Sequence, residues 1–197
     1  MWRKRASRLV EEFPVGATHS MRKRTFPLIR VRVRPGSPTQ GILLAGPVAM
    51  RVVLGRSGVR ANKFEGDGAT PRGHFRLLRL WWRADRFPRP STLLPARRIT
   101  PEIAWCEDPG DRRYNRPFRR SAAETGDRLW RADSLYDLVI EIDHNTRPRK
   151  ARHGSAVFVH IARPQGSPTA GCVALRVADL RRLLARVGPN TRLTIEV

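Results

Sequence analysis

At 197 residues, with 40% hydrophobic and 28% charged side chains, the chain is long enough for one domain with a real core, or one domain plus a tail. Thirty-nine Lys+Arg against 17 Asp+Glu give a formal charge of +22, which attracts polyanions such as nucleic acid, anionic headgroups or an acidic wall polymer. No stretch approaches the ~18 consecutive apolar residues of a membrane span, and 16 prolines with 15 glycines argue for turns and sheet against a helical bundle.

The arginines are spread along the whole chain, so a solvated basic surface is a simpler reading than a nucleic-acid arm. Residues 1–26 are basic and aperiodic and read as a flexible tail, followed by a single domain over 27–197. Met1 to Ser20 has neither the apolar run nor the small-residue cleavage site of an ordinary export signal. Ile29, Val31 and Val33 alternate with Arg30, Arg32 and Arg34, the pattern of a half-buried strand. Pro35-Gly36-Ser37-Pro38 predicts a turn, and residues 42–44 and 49–54 predict a hairpin around Gly46-Pro47. A glycine-rich polar loop spans 55–73, and Phe75 to Trp82 reads as another strand. Between Arg83 and Asp133, Pro88, Pro90, Pro95, Pro101, Pro109 and Pro117 break every period. A connection so long and irregular is usually functional or a lid.

Regular pattern returns at Tyr136–Asp143, with Leu138, Ile140 and Ile142 on one face. Ser155–Ile161 is a strand that puts Ala156, Phe158 and His160 together. The one convincing helix runs Val177–Val187, with Val177, Leu180, Leu183, Leu184 and Val187 on one stripe and Gly188-Pro189 as its stop. Thr191–Val197 closes the chain as a strand. Periodicity therefore supports many strands and one helix.

The chemistry concentrates in residues 155–175. Cys172 follows Gly171 and precedes the expected helix, where backbone N–H groups would lower a thiol pKa and hold an oxyanion. His160 ends a strand twelve residues earlier, and a cysteine with a histidine in reach is the minimal activated nucleophile. On spacing alone, a lone cysteine is more often a small hydrophobe, by about three to one. Cys106 is the second cysteine; one disulfide, or one reactive thiol beside a bystander, are both open by count, and the surroundings of Cys172 favour the second.

Those surroundings resemble a known family. Ser155-Ala-Val-Phe-Val-His160 followed by Thr169-Ala-Gly-Cys172-Val-Ala-Leu175 is similar to the catalytic signature of the L,D-transpeptidases (YkuD-like), a strand ending in histidine, a loop, then Ser/Thr-His-Gly-Cys. Leu54-Gly-Arg-Ser-Gly58 with Lys63 through Pro71 and Gly73, and Tyr136-Asp-Leu-Val with Asp143-His-Asn145, agree in order and spacing, so the resemblance covers about residues 28–197. It implies a mainly β fold, a YkuD-like sandwich or barrel, with one helix after the nucleophile and a long loop-rich insertion. It implies peptidoglycan stem peptides as substrate, a monomer in the periplasm or cell envelope, and no cofactor, metal or nucleic acid. Cys172 would be nucleophile, His160 general base and acid, and Gly171 an oxyanion donor through its N–H, with Arg163, Thr169, Arg176 and His144 as substrate contacts.

Two departures stand out. Ala170 occupies the place of the family's second histidine, and Ala174 that of a basic or amide residue. His144 and His153 rival His160 as base, although His144 in Asp143-His-Asn145 suits a structural or substrate role better. His19 and His74 have no partner signal. Trp81, Trp82 and Trp130 read as packing residues, and Asp108, Asp111 and Asp133 are too irregular for a metal site. The competing functions are L,D-carboxypeptidase or D-amino-acid exchange on the same thioester, a different cysteine hydrolase such as an amidase, and a basic nucleic-acid- or wall-binding protein without catalysis.

Overall fold

The computed structural model describes residues 25–197. Alternation in the first strand decides the inside from the outside: β1 (Leu28–Arg34) buries Ile29 and Val31 and turns Arg30 and Arg32 to solvent. β2 (Ser37–Ala45) and β3 (Val48–Val53) continue as an antiparallel meander. The turn between them needs Gly46, at φ +57°, because a Cβ there would lie 2.6 Å from the Phe26 ring. The first turn is tighter than expected: Pro35-Gly36 makes it, and Ser37-Pro38 already belong to β2. Short parallel strands β4 (Val59–Arg60) and β5 (Thr70–Pro71) staple the glycine-rich loop. β6 (Gly73–Trp82) is the longest strand.

The insertion is more regular than its prolines suggest. It forms β7 (Ala96–Arg98), β8 (Ile103–Trp105), β9 (Pro117–Arg119) and β10 (Asp127–Arg128). β7 joins the main sheet beside β6, and the others pair in the order β10-β8-β9, with Pro117 tolerated because β9 is an edge. The chain ends with β11 (Leu138–Ile142), β12 (Phe158–Ile161), β13 (Val173–Leu175), helix α1 (Val177–Leu184) and β14 (Arg192–Glu196). The main sheet runs β11-β12-β13-β3-β2-β1-β14-β6-β7, and β11 pairs back to β6, which closes a barrel. The mainly β architecture expected from the sequence, with one helix late in the chain, is the architecture observed.

The helix is shorter than its stripe. It stops at Leu184 because Ala185 caps it, with Arg186 N–H turned back to Leu183 O (2.9 Å). Val177 is 39% exposed and leaves the stripe, while Val187 is buried beyond the helix end. The expected tail lies outside the described residues up to residue 24, as does His19. Phe26 belongs to the folded body: its N–H donates to Arg186 O (2.8 Å) and its ring packs on the core.

Two cores use the two faces of one wall. Leu80, Ile140, Val159 and Val173 point to the barrel side with Ile29, Leu43, Leu193 and the helix residues Leu180, Leu183 and Leu184. Their neighbours Trp81, Val139, Phe158 and Cys172 point the other way, against Ile99, Trp105 and Leu129 of the insertion. The insertion is thus held to the barrel by apolar burial. Trp105 is its anchor, edge-on to Phe158 at 4.9 Å and donating from Nε1 to Asn115 Oδ1 (2.9 Å). Replacing Trp105 by Ala should cost about 3–5 kcal/mol. Hydrogen exchange should accelerate across residues 96–130 while β1, β2 and β14 keep their protection.

Candidate active site

β12 and β13 run parallel with Val159 opposite Val173 and His160 opposite Ala174, so Cys172 lies beside Phe158. The thiol accepts from Phe158 N–H and donates to Ala156 O, both at 3.3 Å. Both of its hydrogen-bond partners are therefore backbone groups. Gly171 before it sits at φ +145°, and a Cβ there would come within 2.8 Å of Ala69 O. The loop leading in is clamped: Thr169 N–H donates to Leu54 O (2.9 Å) and Arg56 N–H to Thr169 O (2.9 Å). Thr169 Oγ1 donates to Cys172 O (2.7 Å) and accepts from Gly171 N–H (3.1 Å).

This geometry corrects one expectation. Cys172 enters a strand, and α1 begins only after β13, so no helix N-terminus faces the thiol. Burial dominates instead and pushes the Cys172 thiol up from 9.0 to about 12, with the Phe158 N–H bond opposing and nearby Asp127 adding to the rise. Gly171 N–H, expected to serve an oxyanion, is engaged by Thr169 Oγ1 in this state.

His160 is buried, and its Nδ1 lies 2.8 Å from Ile161 O. A carbonyl only accepts, so Nδ1 carries the proton and Nε2 is the basic nitrogen of the neutral ring. Burial pulls this imidazole down from 6.5 to about 4, and Tyr136 packs edge-on at 5.3 Å. Near neutral pH the pair is thiol and neutral imidazole, not thiolate and imidazolium.

Cys172 and His160 open on the same cleft, of about 360 Å³. Its walls carry both signs of charge. Arg56, Lys63, Arg131 and Arg163 supply the basic side. Glu65, Glu107 and Asp127 supply the acidic side, and the last two come from the insertion. Burial, then the charges of Asp127 and Glu65, raise Glu107 to about 7. Tyr114 donates a short hydrogen bond to Glu65, and Tyr136 donates to Asp127 (2.9 Å).

Of the expected substrate contacts, Arg163 and Thr169 line this cleft. Arg176 and His144 do not. Arg176 lies past β13 at the start of α1, exposed. His144 sits in a neighbouring hollow with its Nε2 3.0 Å from His153 O, and burial lowers it to about 4. His74 Nδ1 pairs with Thr194 Oγ1 at 3.0 Å, away from the cleft. Cys106 and Cys172 are both free and buried. Among the described residues no group of His, Cys, Asp or Glu could hold a metal, and no helix is long and apolar enough to cross a membrane.

Asn115 escaped the sequence reading. Its Oδ1 accepts from Trp105 Nε1 and from Ala156 N–H (3.2 Å), and its Nδ2 donates to His144 O (3.0 Å) and Asn145 O (2.9 Å). It thereby fixes Ala156, at φ +50°, whose carbonyl receives the thiol proton. A single asparagine in a proline-rich stretch carries no periodic signal; its left-handed φ of +53° is the one local hint, and it is visible only in the fold.

A barrel with a cysteine and a histidine opening on one charged cleft defines a β-barrel domain with a thiol–imidazole site. Residues 41–195 match the family model of the YkuD L,D-transpeptidase catalytic domain, and the chain belongs to that family. The family acts on peptidoglycan and is cell-wall associated. No curated protein matches the chain.

The buried groups set a stability profile. His160 and His144 have folded pKa values near 4 against 6.5 ordinarily, so their contribution is full above 6.5 and is lost as pH falls to about 4. Cys172 works in the opposite sense: raised from 9.0 to about 12, it favours the fold below 9 and loses that contribution as pH climbs to about 12. Urea midpoints should form a plateau between these limits, and His160→Gln should flatten the acid limb. A second expectation concerns Asn115→Ala, which strands Ala156 N–H. It should cost about 1–3 kcal/mol and speed alkylation of Cys172, because the Ala156 carbonyl that shields the thiol is no longer held in place.

Proposed function

We propose that the protein is a peptidoglycan L,D-transpeptidase with Cys172 as nucleophile and His160 as its base. The observation that carries this reading is the opening of one buried thiol and one imidazole, its Nδ1 held by a backbone carbonyl, on a single cleft in a chain of this family. Sγ attacks the diaminopimelate carbonyl of a tetrapeptide stem while His160 Nε2 takes the thiol proton. Because both groups rest neutral, proton transfer accompanies attack and does not precede it. The imidazolium then protonates the leaving D-alanine amine, and a thioester remains on Cys172. An acceptor amine opens it, with His160 as base again.

The Ile161 carbonyl serves as the orienting partner of His160 and stabilises the imidazolium when it forms. Gly171 and Cys172 N–H groups hold the oxyanion, which requires Gly171 N–H to leave Thr169 Oγ1. Thr169 can retain its own bond to Cys172 O during that exchange. Arg163 suits a carboxylate of the stem, whereas Arg131 is held by Asp133, and Glu65, Glu107 and Asp127 suit a cationic amine. The acidic wall favours an amine acceptor over water, hence transpeptidation over L,D-carboxypeptidation. Action on peptidoglycan assigns the protein to the cell envelope.

Incubation with disaccharide-tetrapeptide, read by mass spectrometry, tests the proposal. A cross-linked dimer lacking one D-alanine is expected from wild type and absent from Cys172→Ala. Loss of D-alanine without dimer would make it a carboxypeptidase; incorporation of supplied D-amino acids would make it an exchanger. A folded enzyme that does none of these sinks the substrate assignment. A carbapenem should add its mass to Cys172 in wild type alone.

A further inference from the structure

On another face of the barrel, a cavity of about 910 Å³ shares no lining residue with the cysteine cleft. Its floor comes from β6 and β11, and its rim from the residues before β9 and the loop after β11. Arg76 and Arg79 project from β6, Arg116 precedes β9, and Arg147 and Arg149 come from the loop. Two carboxylates face these five guanidiniums, and both are already engaged. Glu141 meets Arg79 Nε at 3.0 Å and accepts from Trp81 Nε1 (2.8 Å), while Asp143 accepts from Arg76 backbone N–H (2.7 Å).

Arg76, Arg116, Arg147 and Arg149 enter no ion pair among the described residues. Arg149 is half-buried, and its Nε is fully enclosed without a hydrogen-bond partner. Burial and the nearby charge of Arg116 lower its pKa, the direction expected for a cation held among like charges. A solvated surface arginine would turn such an N–H to water. Guanidinium forks converging on a hollow match phosphate oxygens two at a time. The space exceeds what one phosphate fills, and no aromatic ring lines it, so a nucleobase would find no stacking platform.

We propose that this cavity binds a small polyanion carrying at least two phosphate groups. The site is independent of the acyl-transfer reading. The test is calorimetric titration of the full chain with inorganic tripolyphosphate in 150 mM salt, beside orthophosphate, citrate and a short DNA duplex. Saturable one-to-one binding of tripolyphosphate is expected, at least tenfold tighter than orthophosphate or citrate. Arg116→Gln/Arg149→Gln should raise the Kd at least tenfold, and exposed Arg147→Gln alone should act in the same direction if the double variant fails to fold. Arg30→Gln/Arg51→Gln, on exposed positions of β1 and β3, is the control for general charge. Unsaturable binding, equal weakening by the control pair, or unchanged affinity in both cavity variants would overturn the proposal. Citrate equal to tripolyphosphate would remove the phosphate assignment, and tighter binding of the duplex would remove the small ligand.

Discussion

The parallel pairing of β12 with β13 is the constraint on which the site depends. It sets Cys172 beside Phe158 and makes the thiol's partners the backbone of the facing strand. A one-residue slip of β12 along β13 would turn β12 over. Val159 would leave the barrel interior, and His160 would enter it. The packing that holds the barrel together and the alignment of the proposed reactive pair are therefore one register, selected by the same apolar side chains.

The same alternation explains why the pair rests uncharged. Trp81, Val139, Phe158 and Cys172, which face away from the barrel, are covered by the insertion, and Tyr136 packs on His160, so neither group of the pair meets bulk water. Desolvation then works on both groups, raising one and lowering the other. The charged residues of the cleft lie around this dry patch, not within it. Attack by a neutral thiol assisted by a neutral base suits such a setting, because no ion need be buried before substrate arrives.

Much of the scaffold was legible from period alone: β1, the hairpin around Gly46, β6, β11, β12 and β14 all announce themselves by alternation. The cysteine and histidine stood out by motif, and the family match agrees with that resemblance. The insertion was illegible because its strands are two or three residues long, below what a period of two can mark, and prolines fall among them. The apolar stripe runs past the end of the helix because Val187 is buried by tertiary packing, which a stripe does not distinguish from helical repetition. The sequence does not separate Cys172 from α1 because Val173-Ala174-Leu175 is a short apolar run, equally readable as a helix approach or a buried strand. Asn115, Glu65 and Glu107 reach the site through long-range folding, for which local sequence holds no cue.

A thiol with a pKa near 12 has consequences beyond catalysis. At neutral pH only about one molecule in 10⁵ carries the thiolate. Peroxide and disulfide reagents act on that form. Shielded in this way between Phe158 N–H and Ala156 O, Cys172 is chemically quiet toward oxidants until a substrate enters the cleft. The burial that would make Cys172 a reluctant nucleophile is thus also what preserves it from oxidation.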